Sequence, residues 1–490
     1  MTDLSGVSIA FVAYLIAMLW IGIWAYRRTG DISDYLLGGR TLGAWPSALS
    51  AGASDMSGWL LLGLPGAIYL AGISEAWIGV GLVIGAYCNW LFVSKRLRIY
   101  SHHAGNSLTL PDYFENRFHD ASRVLRILSA SVILLFFTFY TASGLVGGAI
   151  LFENSFGLDY RLALLLGAAV IVSYTFLGGF LAVSWTDALQ AMLMVLALVL
   201  APLLVWQNFG SLAAMSTALV DANPDSTNWL ANFSLLGMVS LLGWGLGYLG
   251  QPHILARFMA VSDYRQLRPA RRIAMSWMII VLTGSVLTGL AGMAYFNNAP
   301  LDNPETVFIS LSRTLFNPWI AGIIAAAILS AIMSTIDSQL LVCSSVLSED
   351  FYRVFVRPQA SQRELLLVSR LAVLLVALIA LVIASDRNSR VLELVSYAWA
   401  GFGAAFGPVI LFSLFWRRMT AVSAIAGMAT GAVTVVVWAQ LEGGLFDLYE
   451  IVPGFLFASL AIVGVGLIRP QSAAAVFADF DAVARLRQAR

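Results

Sequence analysis

The sequence is dominated by apolar segments about 20 residues long, separated by short polar stretches. A helix needs about 20 mainly apolar residues to cross a hydrocarbon core about 30 Å thick. Only 11% of the residues are charged, against about 25% in soluble domains. No polar stretch is long enough to form a soluble domain. We therefore expect an all-α protein that crosses a lipid bilayer many times, which excludes an ordinary globular enzyme.

About thirteen segments qualify as spans. They are residues 7–26, 43–70, 75–94, 125–152, 161–178, 185–206, 232–255, 273–296, 318–347, 367–385, 391–415, 420–440 and 451–468. Positively charged loops stay in the cytoplasm. With the N-terminus outside, most of the 28 Lys and Arg residues, Arg257 among them, fall in inside segments, and the odd span count places the C-terminus inside. After Arg469, apolar residues at helical spacing fit either an amphipathic helix at the cytoplasmic surface or a solvated tail.

Two predicted spans contain residues that interrupt helices. Serines, glycines and an aspartate fill Ser50–Trp59 in the second span, and glycines and a proline fill Gly243–Pro252 in the seventh. Interrupted helices five spans apart are typical of inverted-repeat transporters, which bind substrate between the two breaks near the bilayer midplane. The alternative is that these glycines only allow close helix packing, as Gly81/Gly85 and Gly427/Gly431 are spaced to do.

The inverted-repeat interpretation divides the chain into five parts. They are a leading helix and loop (1–42), a first repeat of spans 2 to 6 (43–206), a second repeat of spans 7 to 11 (232–416), two trailing helices (417–468) and a cytoplasmic tail (469–490).

Three acids lie deep in predicted spans: Asp55, Asp187 and Asp337. A charge at the bilayer centre costs about 2.5–3.5 kcal/mol on insertion scales, so such residues usually mark a pathway. No equally deep base is evident, which favours a cation pathway. Asp55 lies in the second-span break beside hydroxyls and freed carbonyls, the oxygen ligands that hard cations prefer.

The ninth span carries a second oxygen-rich patch. Its members are Ser330, Ser334, Thr335, Asp337 and Ser338. Ser334 and Ser338 are one turn apart and share a face. The patch fits either cation binding or serines that hydrogen-bond to their own helix.

Four aromatic residues lie in or near the interrupted segments: Trp59, Tyr140, Trp244 and Tyr248. Such rings could cover a small, partly apolar ligand. The alternative is ordinary packing or an interfacial belt.

Other classes of function lack their signatures. The only lysine, Lys95, follows no glycine-rich loop, so the sequence predicts no ATP-driven motor. A net charge of +1 predicts no nucleic-acid partner. Gly245–Gly250 matches a dinucleotide fingerprint, but it lies inside an apolar span with no preceding strand. The four histidines, including His253 at a span end, are expected to be solvated.

The stretch Ser50–Trp59 resembles the sodium:solute symporter family. Further matching stretches are Leu36–Arg40, Tyr174–Asp187, Gly243–Arg257 and Val395–Pro408. The likeness covers nearly the whole chain. It implies a LeuT-like core of two inverted five-helix repeats, with one leading and two trailing helices.

The resemblance also implies a sodium site between the second and ninth spans. Carried over residue by residue, it would use carbonyls of Ala53, Met56 and Ala331 and hydroxyls of Ser334 and Thr335. In the proline-carrying branch, the positions at or beside the sodium and substrate sites are Asp55, Ser57, Trp59, Gly63, Tyr140, Trp244, Tyr248 and Pro252. Arg40, Glu75 and Asp187 match positions tied to gating or coupling.

Asp337-Ser338 departs from the pattern of that branch and matches other family members, some of which have a second sodium site. A second cation site formed by Ser334, Asp337, Ser338 and Asp187 therefore stays open, as does the sodium stoichiometry. The function implied is sodium-coupled uptake of L-proline across a bacterial cytoplasmic membrane without ATP. The alternatives are another small solute, such as pantothenate, a sugar or a carboxylate, and a cation channel, which would have no need for paired broken helices.

Overall fold

The computed structural model describes residues 4–26, 32–177, 179–231, 234–471 and 473–488. Within these ranges the chain forms helices and no β-strand. The helices are α1 Leu4–Tyr26, α2 Ile32–Leu37, α3 Ala44–Asp55, α4 Leu64–Ala71, α5 Trp77–Cys88, α6 Ser94–His103, α7 Leu110–Phe118, α8 Val124–Phe156, α9 Tyr160–Leu177, α10 Phe180–Phe209, α11 Leu212–Ala222, α12 Leu235–Gly243, α13 Pro252–Ala260, α14 Leu267–Tyr295, α15 Val307–Leu315, α16 Pro318–Ser345, α17 Gln362–Ile383, α18 Val391–Phe415, α19 Ala421–Trp438, α20 Ile451–Ile468 and α21 Ala474–Gln488.

Each predicted span coincides with a helix or with an interrupted pair of helices. In the described part of the chain, nine helical segments are long and apolar enough to cross a membrane. The all-helical prediction is confirmed, whereas the number of crossings and the location of the termini stay predictions. Arg27, Arg28 and Arg490, which contribute to the predicted orientation, lie outside the described residues.

Both predicted interruptions are present. α3 ends at Asp55, and the chain regains helical geometry only after Ser57, through a π-helical turn at Trp59–Gly63 that leads into α4. In the second case α12 passes into a 3₁₀ segment, Trp244–Gly250, and an extended residue, Gln251, precedes α13. Glycine, serine and proline weaken helical hydrogen bonding, so each break follows from local sequence.

The two broken helices run in opposite directions. Leu42, just before α3, receives a hydrogen bond from the backbone N–H of Ser262 at 3.0 Å and donates its own N–H to Ala260 at 3.4 Å. The start of α3 therefore lies beside the end of α13. Two repeats of opposite orientation require this arrangement. We call this side, which carries Lys95–His103 and Arg265–Arg272, the basic end of the bundle.

The buried fraction of each helix indicates whether it lies at the centre or at the edge of the bundle. α18, and α16 with its π-helical extension to Val356, bury 83% of an 18-residue apolar stretch inside the protein. α17, α19 and α20 bury only 33% of such a stretch. α16 packs against α1, α3, α8, α10 and α17. α16 and α18 are therefore central, and the three others present one side to the surroundings, as lipid-facing helices do.

Close packing also needs the predicted glycines. A Cβ on Gly85 would lie 2.0 Å from the carbonyl oxygen of Gly245, and one on Gly431 would lie 2.2 Å from that of Ala404. Neither position tolerates a side chain. These glycines therefore serve close packing, whereas those of Gly243–Pro252 lie in a helix break.

The tail after Arg469 forms α21, as the amphipathic alternative predicts, and it packs against α6. Val476 and Val483 are buried. Asp481 makes two contacts with Arg417, at 2.8 and 2.6 Å. Asp479 contacts His103 and His119 at 3.2 and 2.8 Å.

Candidate functional site

The site is built around Asp55, the last residue of α3. Its side chain is buried, and one carboxylate oxygen accepts a hydrogen bond from the hydroxyl of Tyr248. The other oxygen, Oδ1, has no hydrogen-bond partner among the described residues. The backbone carbonyl of Asp55 accepts hydrogen bonds from the indole of Trp59 at 3.2 Å and the hydroxyl of Tyr140 at 3.3 Å. Through Tyr248, Asp55 therefore connects the break in the first broken helix to the break in the second.

Hydroxyl and carbonyl oxygens converge at Ala53, two residues before Asp55. The hydroxyl of Ser334 on α16 donates to the carbonyl of Ala53 at 2.8 Å, and that of Thr335 does so at 3.5 Å. The same hydroxyls donate to the carbonyl of Ala331 at 3.0 and 3.3 Å. Met56 follows in the break. Four of the five predicted sodium ligands thus form one cluster, all buried, in which only oxygens converge.

The proposed second cation site contains an arginine. Asp187 accepts a hydrogen bond from Arg257 at 3.1 Å and one from Ser50 at 2.7 Å. Arg257 also donates to the hydroxyl of Ser338. Asp337 is buried nearby and interacts electrostatically with Arg257. The guanidinium of Arg257 therefore lies among three of the four predicted residues, Asp187, Asp337 and Ser338.

This corrects two expectations from sequence. Arg257 belongs to α13 and is 0% exposed, so a deep base does accompany the deep acids. A buried carboxylate is stabilised by a paired cation, and one oxygen of Asp187 is paired with Arg257. His253 is also 0% exposed rather than solvated, because it packs against the rings of Phe137 and Tyr140.

The four predicted aromatic residues gather around the two breaks. The rings of Trp59 and Trp244 lie 6.3 Å apart between centroids, and Trp244 stacks on Tyr449 at 5.2 Å. Tyr248 meets the edge of Trp399 at 5.1 Å. Their position beside Asp55 fits a ligand wall, and their role in binding stays a prediction.

The remaining predicted substrate residues lie in two places. Ser57, in the break itself, accepts a hydrogen bond from the backbone N–H of Trp59 at 3.4 Å. Gly63 lies in the following π-turn, where an added Cβ would be 3.1 Å from Leu392. Pro252 starts α13 and lines a cavity with Arg257, toward the basic end.

Arg40 and Glu75 lie at opposite ends of the bundle, away from Asp55. The guanidinium of Arg40 donates to the carbonyls of Met259 and Ser107, the latter at 2.7 Å. It therefore ties the approach to α3 to the end of α13. Glu75 lies in the 3₁₀ turn between α4 and α5 and is partly buried.

Sequence reasoning missed several residues of this site. Trp399 donates its indole N–H to the carbonyl of Trp244 at 2.7 Å, and a Cβ on Gly247 would lie 1.9 Å from that nitrogen. The signal was present in the glycine-rich 3₁₀ segment, which leaves room for a large ring. Arg257 lies two residues beyond the end of the predicted seventh span. Nothing in the neighbouring sequence therefore indicated that its side chain is buried.

Comparison with known proteins identifies the family. The model of the sodium:solute symporter family matches residues 35–431. The chain belongs to the sodium:solute symporter family. The sodium/proline symporter of Salmonella typhimurium is 55% identical over 97% of this chain and 96% of its own length. The high-affinity proline transporter of Bacillus subtilis is 51% identical over 95% of this chain and 98% of its own.

A solved structure shows the same fold. The substrate-bound, outward-open state of a sodium-coupled sialic acid symporter superposes with a TM-score of 0.81 at 19% identity, covering 96% of this chain and 99% of that one. Membership in the sodium:solute symporter family confirms the prediction of a multi-helix membrane transporter rather than an enzyme. The bounds of the two repeats and the roles of individual site residues stay predictions.

Proposed function

We propose that this protein couples inward movement of sodium to uptake of L-proline across a bacterial cytoplasmic membrane by alternating access. The observation that carries the sodium site is the convergence of Ser334 and Thr335 on the carbonyl of Ala53, beside the break at Asp55. Such oxygens suit a hard cation. Relatives named as proline transporters over nearly the whole chain support proline as the solute.

Coupling requires that sodium favour the conformation that binds substrate, since a ligand shifts an equilibrium only through differential affinity. A sodium ion held between Ala53 and Ser334 would fix α3 against α16. Asp55 and its hydrogen bond to Tyr248 would pass that constraint to the second broken helix. In this proposal Asp55 acts in coupling more than as a sodium ligand.

Proline suits the space between the breaks. Its carboxylate and ammonium need polar partners, which the freed backbone and Ser57 supply, and its ring needs an apolar wall, which Trp59, Tyr140, Trp244 and Tyr248 supply. Gly63 and Pro252 would shape the approach to this space. Arg40 and Glu75 would act at the two ends in gating.

We assign one sodium ion to each proline molecule. The position of a second cation between Asp187 and Ser338 is filled by the guanidinium of Arg257. Proline is a zwitterion, so each cycle moves one positive charge inward. A potential of 100 mV contributes about 2.3 kcal/mol per charge, roughly a 50-fold concentration ratio before the sodium gradient is added. The cycle needs no ATP.

The test is uptake of labelled proline by the purified protein in sealed vesicles. An inward sodium gradient should drive accumulation, and an equal potassium gradient should not. Uptake that is unchanged when potassium replaces sodium would contradict the coupling. Parallel uptake of labelled sodium should give one ion per proline, and a ratio of two would contradict the assignment of Arg257.

A panel of unlabelled solutes tests the substrate. Proline should compete with labelled proline, whereas pantothenate, a sugar and a simple carboxylate should not. Stronger competition by one of these solutes than by proline would identify that solute as the substrate. The proposed sodium site would be unaffected by that result.

A further inference from the structure

One face of α14 begins with arginines and continues with apolar side chains that no other described element covers. Arg268 and Arg272 in the first turns are exposed, and Ile279, Ile280 and Leu287 are 50%, 44% and 44% exposed. Residues three and four positions apart share a helix face, so these side chains form one stripe. The stripe runs from the basic end toward the middle of the bundle.

The neighbouring helix α5 continues this surface. Its exposed residues Ile84 and Tyr87 are 56% and 46% accessible. The guanidinium of Arg271 lies over the ring of Tyr87, 5.5 Å from its centroid, and so links the two helices. Between α14 and α5 there is thus an apolar wall with cations at one end.

Two arginines of this stripe, Arg268 and Arg272, have no acidic partner among the described residues. In the described part of the chain, neither Arg268 nor Arg272 forms an ion pair. The acid nearest to them in the chain, Asp263, accepts a hydrogen bond from the backbone N–H of Arg265 at 2.8 Å. Their positive charge is therefore available to a negatively charged group from outside the chain.

We propose that this surface binds an anionic phospholipid. We call it the α14 lipid face, made of Arg268, Arg271, Arg272, Tyr87, Ile279 and Ile280. The acyl chains would lie along the isoleucines and Tyr87, at the depth where lipid meets the helices. The head-group phosphate would lie against the arginines, whose planar guanidinium groups bind phosphate oxygens in pairs. An anionic head group is favoured because the excess positive charge exceeds what one phosphate of a zwitterionic lipid balances.

The experiment places a reporter inside the α14 lipid face. Ser276 is exposed on the same stripe, between Arg272 and Ile279. A fluorophore on Ser276→Cys, with Cys88→Ser to remove the partly exposed thiol of α5, reports which lipid is adjacent. The full-length protein is placed in phosphatidylcholine vesicles that contain brominated phosphatidylglycerol or brominated phosphatidylcholine, and quenching by the two lipids gives their relative association at this site. We expect phosphatidylglycerol to be preferred by about fivefold for each arginine engaged.

Matched variants separate a built site from general attraction to charge. The pair Arg268→Gln/Arg272→Gln should lower the preference by about fivefold for each arginine removed and leave only the contribution of Arg271. The pair Arg418→Gln/Arg485→Gln removes the same charge from exposed positions elsewhere and should leave the preference unchanged. A parent protein with no preference, or an equal loss in both pairs, would overturn the proposal. Neither result bears on sodium coupling, so this test is independent of the proposed function.

Discussion

Ser330 and Ser334 lie one turn apart on α16, and only Ser334 reaches another helix. Its hydroxyl contacts the carbonyl of Ala53 at 2.8 Å, whereas that of Ser330 bonds only within its own helix, to Ala327 at 2.8 Å. Both are buried. The same residue type therefore has two different environments, and these match the two alternatives that the sequence leaves open.

We predict that Ser334→Ala lowers the apparent affinity for sodium, because it removes one oxygen from the candidate site. The loss should be at least about tenfold, as for other changes close to a bound metal. The measurement is the sodium concentration that gives half-maximal proline uptake. Ser330→Ala is the matched control and should leave this concentration unchanged. Equal effects of the two substitutions would show that the serines act through helix stability alone.

At the scale of elements, a buried acid in a loop caps the N-terminus of the central helix α18. Glu305, between α14 and α15, accepts hydrogen bonds from the backbone N–H groups of Val391 and Leu392, both at 3.0 Å. These amides belong to the first turn of α18 and have no partner within the helix. Burial raises the pKa of Glu305, although these two hydrogen bonds act in the opposite direction. The loop and α18 are thereby held together.

We predict that Glu305→Ala destabilises the protein by about 1–2 kcal/mol, the usual effect of losing a helix cap. A thermal unfolding scan of the purified protein should show a lower midpoint. Glu153 is a suitable control, since its contact with the largely exposed Arg387, at 2.7 Å, lies at the surface. Such pairs contribute little to stability, so Glu153→Ala should leave the midpoint nearly unchanged. A larger effect of Glu153→Ala would contradict this account of α18.

At the scale of the whole molecule, α21 returns the end of the chain to the basic end of the bundle. Asp481 binds Arg417 through both carboxylate oxygens, and these hydrogen bonds lower the pKa of Asp481. A lowered pKa means that the contribution to docking is fully present above the ordinary value of about 3.9 and is lost as the pH falls through the folded value. Docking through this pair is thus constant around neutral pH.

We predict that Asp481→Asn loosens α21 at neutral pH, where the wild-type helix stays docked. Hydrogen exchange of the α21 amides, corrected for the intrinsic effect of pH, should be faster in the variant at pH 7. In the wild type it should rise only below about pH 4. Asp302→Asn, an exposed change elsewhere in the chain, should have no effect. Unchanged exchange in Asp481→Asn would show that the apolar contacts of Val476 and Val483 suffice.

The sequence by itself determined the features that depend on neighbouring residues. Apolar runs of span length predicted where the helices lie, because a membrane helix must satisfy its backbone internally and expose apolar side chains. Clusters of glycine, serine and proline predicted both breaks, because helix interruption is a local event. Asp55 could be singled out because it lies within such a break.

Only the tertiary structure decided which distant groups compensate one another. Arg257 looked like a loop residue because it follows the predicted span, yet Asp187, 70 residues away in the chain, neutralises it in the interior. Glu305 lies outside the predicted spans, and its partners are the amides of Val391 and Leu392, 86 and 87 residues away in the chain. A buried charge or a free helix end is stabilised by its partner in space, and one sequence does not specify that pairing.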